Sequence, residues 1–139
     1  MRFVFDENHP PALARMLAPL AEGETYEVTE VVGLGLRGAP DTELLAAICV
    51  DGRRGVLITT DRAMRRRKHE RAAVASSGAV VVVGVSNWNQ QADLWERARM
   101  MLWWWIEIVA SAKAADPGTF LELPWRQRTK PLARWRATS

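Results

Sequence analysis

The sequence predicts an α/β fold: a three-layer sandwich of helices around a mainly parallel sheet. Three observations predict it. Segments with helical periodicity alternate with short apolar runs along the whole chain. Val56–Thr60 is continuous and rich in β-branched residues and Val80–Val85 carries no polar side chain, as in strands covered on both faces. Gly23, Gly52, Gly78 and the turn Asp116-Pro117-Gly118 punctuate the breaks between segments.

The elements follow in order. Arg2–Phe5 reads as a short opening strand. Pro10 and Pro11 suit the first turn of a helix, and Leu13, Met16, Leu17 and Leu20 recur at helical spacing until Gly23. Tyr26–Val32 alternates and reads as a second strand. Gly33, Gly35 and Gly38 make a loop. They match a bare G-x-G-x-x-G, but no helix follows directly, so a dinucleotide site is not indicated. Asp41–Val50 is a helix burying Leu44, Leu45 and Ile48, and Val56–Thr60 is a central strand. Ala63–Ser76 reads as a helix stopped at Gly78, and Val80–Val85 as a fourth strand. Gln90–Lys113 is a long helix, Asp116–Gly118 a turn and Thr119–Leu123 a last strand.

With 139 residues, 48% hydrophobic and 25% charged, the chain is one domain's worth. Residues 1–124 form the expected domain and residues 125–139 a basic tail. The composition excludes disordered, collagen-like and disulfide-framework classes, since Cys49 stands alone. No apolar run is long enough for a membrane span and no signal peptide is read, so a cytoplasmic location is expected.

Charge is segregated. Residues 1–61 carry a net −5 and residues 62–139 a net +8, giving +3 in all. Arg62, Arg65, Arg66, Arg67, Lys68 and Arg71 crowd into ten residues, and Arg126, Arg128, Lys130, Arg134 and Arg136 mark the tail. Guanidinium forks grip phosphate bidentately, so the first cluster is expected to hold an RNA backbone. A solvated helix face is the plainer alternative.

Parallel sheets bind ligands beyond the carboxyl ends of their strands. Asp6 follows the first strand and Asp61 the third, while Asp41 and Glu43 open a helix that can face the same edge. These four carboxylates are the candidate catalytic and metal-binding set. Hard oxygen ligands of this kind suit Mg²⁺ or Mn²⁺, which relieves their mutual repulsion. Glu7, Asn8, Thr59 and Thr60 are expected to support them. Individually, Asp41 and Asp61 can also be read as helix caps. His9 and His69 receive no catalytic role.

The opening MRFVFDENHPPALARML, the stretch GAPDTELLAAI and the strand end VLITTDRAM carry a resemblance. They resemble PIN-like nucleases of the VapC-type toxin and Mut7-C group: a strand followed by Asp-Glu-Asn-x-Pro, an Asp-x-Glu at a helix start, and a strand ending Thr-x-Asp-Arg. RRRKHERAAVASSGAVVVVG, with Glu70 and Ala73, is similar to the VapC-type toxins in particular. The likeness covers about the first 85 residues. It implies a PIN-like sandwich, Mg²⁺-dependent cleavage of RNA, metal-site positions at Asp6, Asp41 or Glu43, and Asp61, and an antitoxin partner. Many relatives carry a second aspartate two positions after the one matching Asp61, where this chain has Ala63.

All seven tryptophans lie between Trp88 and Trp135. Trp103, Trp104 and Trp105 are consecutive and cannot share one helix face. Leu94, Ala98, Met101, Trp105 and Ile108 make one stripe and Trp95, Leu102, Ile106 and Val109 its neighbour. Trp103 and Trp104 are the surplus, expected at an interface with a second copy, an antitoxin or RNA bases. Two other functions fit the sequence less well. A receiver-like phosphoacceptor domain needs a lysine at the end of its last strand, and none is found there. In a non-catalytic nucleic-acid-binding module the acids are only caps.

Overall fold

The computed structural model describes residues 1–90 and 93–126. Five strands, β1 (Arg2–Phe5), β2 (Glu27–Glu30), β3 (Gly55–Thr59), β4 (Val80–Gly84) and β5 (Phe120–Leu123), form one sheet in the order β2-β1-β3-β4-β5. Every pairing is parallel. The helices are α1 (Pro11–Leu20), α2 (Asp41–Ile48), α3 (Lys68–Ser77), α4 (Asn87–Gln90) and α5 (Leu94–Ala114).

The sheet is covered on both faces, which is why its central strands are apolar throughout. Phe3, Phe5, Val56, Ile58, Val80 and Val82 pack on one face with Leu13 and Leu17 of α1, Trp88, and Met101, Trp105 and Ile108 of α5. Val4, Leu57, Val81 and Val83 alternate to the other face and meet Leu44, Leu45 and Ile48 of α2 and Val74 of α3. The result is a three-layer α/β/α sandwich. A Cβ on Gly55 would lie 2.5 Å from Ile48 Cγ1 and 2.6 Å from its carbonyl oxygen. Glycine is what lets the end of α2 press directly on the start of β3.

Several element boundaries move, each for a local reason. The helix expected from Ala63 begins at Lys68. Residues 62–67 form turns instead, because four arginines at neighbouring helical positions would repel and the Asp61 carboxylate accepts from Ala63 N at 3.1 Å. The long helix starts at Leu94, with Asp93 as its cap, accepting from Trp95 N at 2.8 Å. The second strand is shorter than the alternation suggested, since Val32–Leu34 turn into a 3-10 helix.

Trp125, placed with the tail on sequence, packs edge-on against Trp88 at 4.7 Å, and Trp88 Nε1 donates to Pro124 O at 3.1 Å. The tail from residue 127 on, with Arg128, Lys130, Arg134 and Arg136, lies outside the described residues. Among the described residues, no helix is long and apolar enough to cross a membrane.

On α5, Met101, Trp105 and Ile108 are buried as expected, and Val109 joins them. Trp104 is partly buried against the core, whereas Trp95 (83%), Ile106 (70%), Leu102 (45%) and Leu94 (42%), the last expected on the buried stripe, are the exposed large apolar residues of α5. Helical phase explains it: positions 95, 102 and 106 fall on one stripe that turns away from the sheet.

Candidate metal centre

The strand order sets the site. From β1 the chain passes outward to β2, then returns across β1 to β3, so the order reverses between β1 and β3. A crevice forms beyond their carboxyl ends. The ladder continues past β1 through Asp6 N donating to Ile58 O at 2.9 Å, which fixes the Asp6 backbone against β3. Asp6 and Thr59 alternate to the α2–α3 side, and Asp61 follows two residues after Thr59.

One hydroxyl organises this edge. Thr59 Oγ1 donates to Asp6 Oδ2 at 2.9 Å and accepts from Asn8 Nδ2 at 3.0 Å and Asp61 N at 3.1 Å. Asn8 Oδ1 in turn accepts from Thr60 N at 2.9 Å. Glu7 works on the neighbouring loop: its Oε1 accepts from Gly38 N at 2.7 Å, three residues before Asp41. The four supporting residues named from the sequence therefore all lie at this edge. Thr60, though, contributes only backbone groups, its hydroxyl being buried without a partner.

Asp41 opens α2, and the Pro40 before it offers no side-chain cap. Asp41, Asp61 and Glu70 converge, with one carboxylate oxygen from each lying within 4.8 Å of the others. Glu70 sits in the first turn of α3 and is 5% exposed. Sequence reasoning gave it no part in the site. Its signal was an acid in the first turn of a helix inside an otherwise basic run, three residues after Arg67. Glu43, the alternative to Asp41, is exposed on α2 and lies outside this cluster. Asp6 lies close enough to exchange charge repulsion with both Asp41 and Asp61, without joining the tight group of three.

The electrostatics follow from crowding. Burial, then the hydrogen bond and charge of Glu70, then Asp6 and Asp61 push the Asp41 carboxyl up to about 7. Burial also opposes ionisation of Glu70, but the hydrogen bond from Asp41 and the Arg67 guanidinium outweigh it and hold Glu70 below the usual range. Asp6 is raised, chiefly by burial and against the hydrogen bonds from Glu7 N and Thr59.

Arg67 departs from its expected role. Its Nη1 lies 2.7 Å from Glu70 Oε1, 2.9 Å from Asp61 Oδ2 and 3.9 Å from Asp41 Oδ2. The guanidinium thus faces the carboxylates rather than outward with its neighbours. Arg65, Arg66, Lys68 and Arg71 are exposed and Arg62 is half-buried; none of the five forms an ion pair among the described residues.

The donor set fits a divalent cation. Its ligands are all carboxylate oxygens, Glu70 Oε2 is buried with no donor, and the group carries more negative charge than Arg67 alone offsets. A family model described as a PIN-like domain matches residues 1–86, whereas no curated protein and no solved structure matches the chain. The matched segment spans β1 through β4 and contains Asp6, Asp41, Asp61 and Glu70, so the chain belongs to the PIN-like domain family.

Proposed function

We propose that this protein is a Mg²⁺- or Mn²⁺-dependent endoribonuclease, acting as the toxin of a toxin–antitoxin pair of the VapC type. The observation that carries the reading is the convergence of Asp41, Asp61 and Glu70 beside Asp6 at the reversal point of the sheet. PIN-like domains are nuclease-type modules, and the cluster lies inside the matched segment.

In this reading Asp41, Asp61 and Glu70 hold the metal. A divalent cation held there would polarise a phosphodiester and make a water more acidic. Asp6, kept in one orientation by Thr59 and Asn8, adds a carboxylate at the same edge to take a proton or complete the ligand set. Arg62, Arg65, Arg66, Lys68 and Arg71 line the outside of the 62–71 segment and hold the RNA backbone. The exposed stripe of Trp95, Leu102 and Ile106 on α5 is the face for an antitoxin or a second copy.

Incubation with RNA tests the reading. Cleavage with Mg²⁺ or Mn²⁺ that stops with chelator and in Asp61→Asn supports it. Full activity in chelator, or in both Asp6→Asn and Asp61→Asn, overturns it. The toxin role is tested separately: induced expression should arrest growth for the wild type and not for Asp61→Asn.

A receiver-like phosphoacceptor reading shares the strand order 2-1-3-4-5. It fits the site less well, because β5 runs into Pro124 where that chemistry needs a lysine, and Arg67 pairs with Asp61. In a non-catalytic nucleic-acid-binding module the acids would bind no metal. Mn²⁺ binding by the wild type that is lost in Asp61→Asn decides against it.

A further inference from the structure

On the α1–α5 side of the same strand ends, donors stand without acceptors. Arg97 closes the first turn of α5, beyond the segment shared with the family. Its Nη2 donates to the backbone oxygen of Asn8 at 3.3 Å, and its Nε is buried with no partner. A guanidinium offers five N–H donors. Arg97 forms no ion pair among the described residues, and the residues outside them include no aspartate or glutamate. Burial weakens its hold on its proton.

A half-buried cation without a counter-ion is costly to keep, so a structural arginine normally ends on a carboxylate. The neighbours here supply none. His9 is 2% exposed between the rings of Phe5 and Trp88, both its nitrogens lack partners, and burial and Arg97 hold it down to about 3, so it is neutral. No carboxylate among the described residues pairs with Arg97, which leaves its free donors open to an anion carried by a ligand.

Its place identifies the anion. The residue whose carbonyl holds the guanidinium is Asn8, whose side chain bonds Thr59 Oγ1 at 3.0 Å and Asp6 Oδ2 at 3.4 Å. Arg97 therefore reaches the rim of the carboxylate centre from the layer opposite α3 and its basic run. We infer that Arg97, anchored on the Asn8 carbonyl, is a phosphate-binding residue for the RNA backbone at the rim of the site. RNA then lies between Arg97 on one side and the 62–71 arginines on the other, its phosphates crossing the strand ends. The inference rests on the nuclease reading for its substrate class.

Its test does not need cleavage. A fluorescent single-stranded RNA is titrated with wild type, Arg97→Gln and Arg97→Lys in chelator, over a range of salt. Arg97→Gln should weaken binding at low salt about ten-fold, the scale of one charge-assisted phosphate contact. Its slope of log affinity against log salt should be shallower by about 0.7. Arg97→Lys should keep the slope. Thermal melts and Mn²⁺ titration should match the wild type, showing that the fold and the carboxylate centre are intact. Unchanged affinity and slope in Arg97→Gln, or no RNA binding by the wild type, would overturn the inference. Arg97-dependent binding without cleavage in Mn²⁺ would leave this site standing and defeat the nuclease reading. Cleavage by a wild type whose RNA binding ignores Arg97 would do the reverse.

Discussion

The hydroxyl of Thr59 donates to Asp6 Oδ2 at 2.9 Å while accepting from Asp61 N at 3.1 Å, so one buried side chain ties together two aspartates 55 positions apart. Thr59→Val keeps the shape and removes the hydroxyl. It leaves Asn8 Nδ2 and Asp61 N without this acceptor, costing about 1–3 kcal/mol of stability. Metal affinity should fall about 10–100-fold, as when a group orienting a ligand is lost. Chemical denaturation and Mn²⁺ titration measure the two effects. An unchanged metal affinity would show that the Thr59 hydroxyl does not orient the carboxylates that hold the metal.

Asp6→Asn, Asp61→Asn and Glu70→Gln should each lower RNA cleavage by more than about 100-fold, exceeding the loss expected for a supporting group. The fold should persist, since each change is isosteric at the sheet edge. Glu43→Gln should retain most activity, because Glu43 is exposed and outside the cluster. A Glu43→Gln enzyme as dead as Glu70→Gln would reverse that assignment.

Metal binding should depend on pH through Asp41. Its carboxyl titrates near 7 in the metal-free protein, well above the ordinary 3.8, so it is protonated at lower pH and must lose that proton to ligate. Mn²⁺ affinity should therefore climb by up to about ten-fold per pH unit below 7 and level off above it. The raised folded-state value has a second consequence. Metal-free stability is greatest below about 4 for this group and declines as pH rises to about 7, and bound metal should oppose the decline. Melting curves with and without Mn²⁺ across this range provide the check, and Asp41→Asn should flatten both trends.

Arg67 is the resident counter-charge of the cluster, and a cation entering must compete with it. Arg67→Ala should bind Mn²⁺ about 30-fold more tightly, the scale of removing a unit charge about 4 Å from a divalent cation in a water-like dielectric. Calorimetry gives the comparison. Weaker binding in Arg67→Ala would mean that the guanidinium positions the carboxylates rather than competing for them.

Gly55→Ala should destabilise the fold by about 1–3 kcal/mol, because the added methyl meets the carbonyl of Ile48 and the backbone must yield. Metal affinity per folded molecule should change little, as Gly55 lies at the opposite end of β3 from Thr59.

The layered fold was legible in the sequence. Val56–Ile58 and Val80–Val83 are apolar at every position, as strands buried on both faces are, and Asp6 and Asp61 follow the ends of such runs. Asp41 at the first position of α2 was equally readable. What periodicity cannot give is the rotation of one helix against another. The turns at residues 62–67 and the packing of α2 on α3 decided that Glu70, not Glu43, completes the cluster, and that Arg67 points inward while its neighbours face solvent. The phase of α5 likewise decided that Trp95, Leu102 and Ile106 stay exposed while Trp104 packs partly buried against the core. Local sequence sets which residues can lie on a face; only close packing between distant segments sets which faces meet, since each fit depends on the volumes and charges of both partners.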